Sequence, residues 1–154
     1  MSLAIESRKR ELDAYFARAI AGAYPEEVQS DLAKHGAVLV CGFVERSVEI
    51  VVMEKIQHRA QSRVLSFIRG YFKVGRNYNC EAIAQLLDRF DVGWGSKFRD
   101  FFKARDDLVQ ALHSAYDLRN SIAHGGDGNR GLLGVRDLYV SAKAVVDGLE
   151  AATT

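Results

Sequence analysis

One proline in 154 residues, and a long run with no helix-breaking pattern behind it, constrain this chain most. Pro25 is followed by Glu26 and Glu27. Proline lacks the N–H that a first helical turn leaves unpaired, and acids suit the positive end of a helix. A helix is therefore expected from about Pro25 to Arg59, with Val28, Leu32, Leu39, Phe43, Val52 and Ile56 among its apolar positions. A helix of that length is the spine of a bundle.

The rest of the chain reads as helices around it. A first helix is expected from about Ser2 to Ala21, stopped by Gly22, with Leu12, Tyr15, Phe16, Ala19 and Ile20 on one face. Further helices are expected over Ser62–Phe72 and Cys80–Phe90, with a loop at residues 75–79 between them. Gly93-Trp94-Gly95-Ser96 reads as a turn before a short aromatic helix over Lys97–Lys103. Two long helices follow, Arg105–His124 and Leu132–Ala151, separated by a loop at 125–131 with four glycines. No stretch alternates at period two long enough for a sheet. The expectation is an all-α helical bundle with short extra helices, in one domain over 1–154.

Composition narrows the chemistry. Hydrophobic residues make up 48% and charged residues 27%, and the formal net charge is +1. Total charge does not indicate a strongly basic nucleic-acid binder, so any such argument rests on charge distribution. Cys41 and Cys80 lie outside any CxxC and read as core or near-core thiols of a reducing compartment. His35, His58, His113 and His124 lack zinc-site spacing, so neither a metal nor a cofactor is expected. Residues 36–53 are apolar but broken by Glu45, Arg46 and Glu49, which fits a buried helix rather than a membrane span. The N-terminus becomes charged too early for a signal peptide, and a cytoplasmic location is expected.

The helix ending at His124 breaks a structural rule. At ~100° per residue, Leu108, Ala111, Leu112, Ala115, Leu118 and Ile122 share a face, and Arg119 falls within it. An arginine there needs partners, because an unpaired buried charge is costly. It is either one half of a structural ion pair or a functional group. His113, Asp117, Asn120 and His124 form an adjacent polar stripe. His113 and Asp117 read as solvated. His124 sits in the last turn, where the helix dipole favours a cationic imidazole, and so suits proton transfer.

Arg119-Asn120-Ser121-Ile122-Ala123-His124, followed by Gly125-Gly126, resembles the signature of HEPN domains. The apolar second helix with Phe43-Val44-Glu45-Arg46-Ser47 embedded in it is similar to that of the RiboL-PSP branch and related toxin-type branches. The resemblance implies an up-and-down bundle, usually a homodimer, whose two motifs meet and cleave RNA without metal. Some members keep the fold without the activity.

On that resemblance, His124 acts as acid or base, Arg119 holds the phosphate oxygens, and Asn120 orients either. Asp117 and Glu45 are candidates for support. The simpler reading of Glu45 is a surface charge paired with Arg46 or facing Glu49. The expected product carries a 2′,3′-cyclic phosphate.

An RNA track is expected between Glu54 and Glu81, where no acid occurs and Lys55, Arg59, Arg63, Arg69, Lys73 and Arg76 are interleaved with aromatics. Arg69, Lys73, Arg76 and Tyr78 are its candidate contacts, while Phe67 and Phe72 read as core. The expected function is a metal-independent endoribonuclease, a toxin or defence effector, with RNA and an antitoxin protein as partners. The alternative is a non-catalytic dimer that binds a partner protein, RNA or a nucleotide.

Overall fold

The computed structural model describes residues 2–154, and among them there are seven helices and no strand. They are α1 (Leu3–Ala21), α2 (Glu26–Ile56), α3 (Ser62–Phe72), α4 (Cys80–Asp88), α5 (Val92–Phe102), α6 (Asp106–Ala123) and α7 (Leu132–Ala152). The all-α expectation is met.

Helix α2 is the spine. It packs against α7, α6 and α1, and α1 runs beside it from Leu32, which accepts from the Tyr15 hydroxyl, to Glu54, which accepts from the Ser2 hydroxyl. Val40, Val44, Val48 and Val52 recur every four residues along it, and each is almost wholly buried. That spacing puts one branched side chain on the same face at each turn. Glycines let neighbours close in. A methyl at Gly36 would crowd the Phe16 ring at 3.1 Å, and one at Gly148 would overlap the Phe101 ring at 2.2 Å. Tyr139 of α7 fills the remaining space, stacked on Phe16 and edge-on to Phe43, with its hydroxyl donating to the Lys9 carbonyl at 2.9 Å.

The short helices are additions to this bundle. α4 and α5 form a hairpin that meets the bundle through α5 on α7. Here the expected turn at Gly93–Ser96 is corrected, because all four residues lie inside α5. Asp91 is the N-cap, and its Oδ1 accepts from the Gly93 N–H at 2.7 Å, which starts the helix earlier. Gly95 serves close packing. A Cβ there would stand 1.8 Å from Asp88 Oδ1 and 2.9 Å from the Ala84 carbonyl oxygen. Arg99 then clasps the hairpin by donating to both Asp88 and Glu81.

Two helices end earlier than expected. α2 stops at Ile56 and α4 at Asp88, each followed by a hydrogen-bonded turn that carries the chain on without the helix.

α3 is the least supported helix. It rests on the end of α2, and only Leu65 is buried. Phe67, expected in the core, is 77% exposed. Its helix has one layer to lean on, and Phe67 lies on the far side. Phe72 is half-buried against the core, as expected.

Among the described residues, no helix is long and apolar enough to cross a membrane, and no group of histidines, cysteines and carboxylates could hold a metal ion.

Candidate functional site

The arginine that breaks the apolar stripe of α6 has a partner on α2. Arg119 Nη1 donates to Glu45 Oε1 at 3.0 Å, with the two side chains 23% and 25% exposed. The surface reading of Glu45 is thereby corrected, because Arg46 pairs with Glu49 instead. Glu45 lies one helical turn after Cys41, whose thiol donates to the Ala115 carbonyl at 3.4 Å. The Cys41–Glu45 stripe of α2 thus faces the Ala115–Arg119 stripe of α6.

Two amides complete the surroundings of the guanidinium. Its Nε donates to Asn120 Oδ1 at 3.1 Å and its Nη2 to Asn77 Oδ1 at 2.8 Å. The Tyr116 ring lies beneath, 5.2 Å from the guanidinium carbon. A guanidinium carries five N–H donors in a planar fork. Three are engaged by Glu45, Asn77 and Asn120, which leaves one on each terminal nitrogen. Donors on two terminal nitrogens are the kind of group that can grip two oxygens of a phosphate.

The floor of this cluster is low in polarity. Burial holds the Glu45 carboxyl above the usual carboxylate range, although the charge of Arg119 and its hydrogen bond pull it down. Burial also pushes the Tyr78 hydroxyl up to about 12, and Tyr116 well above the ordinary tyrosine value. Both phenol oxygens are buried without a hydrogen-bond partner. They are neutral, and they keep water from beneath the Arg119–Glu45 pair. Cys41, raised to about 12, and Cys80, raised to about 11, are buried thiols, which removes them as nucleophiles.

His124 closes the other end of the motif. It is the C-cap of α6 and is exposed. The helix stops there because Gly125 adopts φ 83°, a conformation that L side chains rarely take. The Gly125 N–H bonds the Ile122 carbonyl at 3.1 Å, and the Gly126 N–H bonds the Ser121 carbonyl at 2.8 Å. This pair of bonds is the Schellman motif. The glycine pair therefore defines where the helix ends and presents His124 at its tip. Arg119 and His124 leave the axis roughly 140° apart and about 7.5 Å apart along it. They do not bond each other.

The remaining candidates divide. Asp117 is exposed and lines a separate recess of about 760 Å³ with Ser121, Asp127 and Arg130, without a hydrogen bond to Arg119 or His124. Arg69, Lys73 and Arg76 are exposed, and none has a carboxylate partner among the described residues. Tyr78 is corrected as an RNA-stacking group. It is 4% exposed, because Asn79 caps α4 through Ala82 N–H and pulls the preceding ring into the core.

A family model described as RiboL-PSP-HEPN matches residues 3–153. The chain belongs to this HEPN family. The match spans all seven helices, so the membership covers the bundle and the short helices alike. No curated protein and no solved structure matches the chain.

Sequence reasoning missed Asn77. It occupies a loop in which only Arg76 and Tyr78 stood out, and a residue 42 positions from Arg119 carries no local sign of the contact. Tyr116 was missed too, though its place one turn before the arginine's neighbour Asn120 puts it on the same side of α6.

Proposed function

We propose that this HEPN protein is a metal-independent endoribonuclease that acts as a homodimer. One observation carries the reading: a half-buried arginine, held by Glu45, Asn77 and Asn120, keeps donors free on the same helix that presents an exposed histidine at its tip. A purely structural ion pair would not need the two amides.

Cleavage begins when a histidine takes the proton from the 2′-hydroxyl. The 2′-oxygen bonds phosphorus, and the bond from phosphorus to the 5′-oxygen breaks. The leaving 5′-oxygen takes a proton, and a 2′,3′-cyclic phosphate remains. Arg119 stabilises the charge that builds on the non-bridging oxygens. Base and acid are two roles, and each chain has one motif histidine. A second chain supplies the other, so His124 and the partner subunit's His124 share the two proton transfers. The separation of Arg119 from His124 along α6 also favours a site completed across two chains. The exposed cations Arg69, Lys73 and Arg76 hold the flanking RNA. A toxin or defence role, with an antitoxin protein as partner, fits such an enzyme.

The test is incubation with total RNA and tRNA in EDTA, beside Arg119→Ala and His124→Ala proteins of matched fold and oligomeric state. Cleavage is expected from the wild type alone, with cyclic-phosphate ends and a loss of at least about 10²-fold in either variant. Equal cleavage by all three proteins would overturn the assignment.

A further inference from the structure

Behind Asn77 lies a recess of about 360 Å³, bounded by the end of α3, the loop at 73–79 and α4. Arg76, from the loop before α4, and Arg89, from the end of α4, both line it, and no carboxylate does. Neither guanidinium has an ion-pair partner among the described residues. Other arginines also lack an acid, Arg59, Arg63 and Arg69 among them, but Arg76 and Arg89 line one recess together. Arg76 is also fixed in place. Its guanidinium lies 4.0 Å from the centre of the Tyr71 ring, which reduces the freedom it would lose on binding an anion. Two like charges brought to one cavity without a counter-charge repel each other, and a bound anion relieves that cost.

Asn77 joins the recess to the candidate site. It forms part of the recess wall, and its Oδ1 accepts from Arg119 Nη2 at 2.8 Å. A polyanion with one phosphate at Arg119 therefore has its next segment at the mouth of the recess. The volume falls in the range of small-ligand pockets. Gln85 of α4 also lines the recess and offers an amide, which can donate and accept in the plane of a base.

We infer that this recess is a nucleotide subsite for single-stranded RNA: Arg76 and Arg89 hold the backbone phosphate next to the scissile one, and Gln85 faces its base. The inference rests on RNA as the substrate class and extends it to residues of α4 outside the acid-free stretch of sequence.

The experiment measures binding rather than cleavage. His124→Ala protein, in EDTA, is titrated into a fluorescein-labelled single-stranded RNA octamer at several salt concentrations. The same titration is made with Arg76→Ala/Arg89→Ala and with Arg89→Ala alone in that background. An Arg10→Ala/Arg18→Ala pair on the exposed side of α1 removes equal charge elsewhere. The recess double variant is expected to bind roughly tenfold or more weakly at low salt, and its log–log salt slope to fall by about 0.7, the value for one lost phosphate contact on a single strand. Arg89→Ala alone is expected to account for about half of that change in slope. The α1 pair is expected to bind nearly as the parent does. Equal weakening by the α1 pair, or an unchanged slope in the recess variants, overturns the subsite while leaving the ribonuclease reading standing. No RNA binding by the parent removes the substrate class and the subsite together. Binding with no cleavage by wild-type protein would sink the catalytic reading alone.

Discussion

At the scale of single residues, Arg119 and Glu45 carry the site. The arginine was legible in the sequence, because a charge inside an apolar stripe at helical spacing is visible without a structure. Its partner was not. The two lie 74 residues apart, and the alignment of α2 against α6 depends on packing at Cys41 and Ala115 that local pattern does not encode. The pair also has a pH signature. Burial holds the Glu45 carboxyl above its ordinary value, with Arg119 opposing. Folded protein therefore binds this proton more tightly than unfolded protein does. The contribution to stability is full below the ordinary carboxylate range and is lost as pH rises through the raised folded-state value. Glu45→Gln keeps the shape and an acceptor for Arg119 but does not titrate. In denaturant titrations from about pH 4 upward, the wild type is expected to lose stability relative to Glu45→Gln across that window. Identical pH dependence in the two proteins would show that Glu45 does not titrate in a buried setting. Cleavage by Glu45→Gln is expected to fall by about tenfold to a hundredfold, chiefly in kcat, because a displaced Arg119 misplaces the phosphate.

At the scale of elements, the two glycine pairs had opposite fates. Gly125-Gly126 was legible as a helix stop, and it is one. Gly93–Ser96 looked like a turn and proved helical, because Gly95 is there for the approach of α4 at Asp88 and Ala84. A glycine that opens space for a neighbour and a glycine that bends the chain read alike when the neighbour is unknown. The same limit hid the exposure of Phe67, whose helix has an apolar stripe but rests on only the end of α2. The stop at His124 can be tested cleanly. A Cβ at Gly125 would meet nothing within 4 Å, so Gly125→Ala costs only backbone conformation. That cost is on the order of 1 kcal/mol, and Gly125→Asn is expected to recover part of it. Gly131→Ala is the control, since Gly131 has open space and no positive φ. Thermal melts should rank Gly131→Ala near wild type, then Gly125→Asn, then Gly125→Ala, with RNA cleavage following the same order. Cleavage that stayed at the wild-type level in Gly125→Ala would mean that the helix end does not position His124.

For the whole molecule, the proposed ribonuclease raises the question whether one chain would suffice. The helical architecture was legible because long helices without proline leave few alternatives, and membership in the family follows from a match across the bundle. The quaternary state has no such signal, because a surface able to meet a second copy is chosen by shape as well as by composition. Chemistry supplies the argument instead. Transesterification needs a base and an acid, the chain offers His124 for only one of these roles, and His113 lies about three turns of helix away on the solvated face. If two chains build the site, inactive chains should poison active ones. Wild-type protein mixed with a tenfold excess of His124→Ala protein, after exchange verified by labelled subunits, should lose most of its activity per wild-type chain, because nearly every wild-type chain then sits opposite an inactive one. Dilution should act in the same direction, with activity per chain falling once the concentration drops below the dimer dissociation constant. Activity per wild-type chain that survives both the excess and the dilution would place base and acid within one chain and remove the need for a partner.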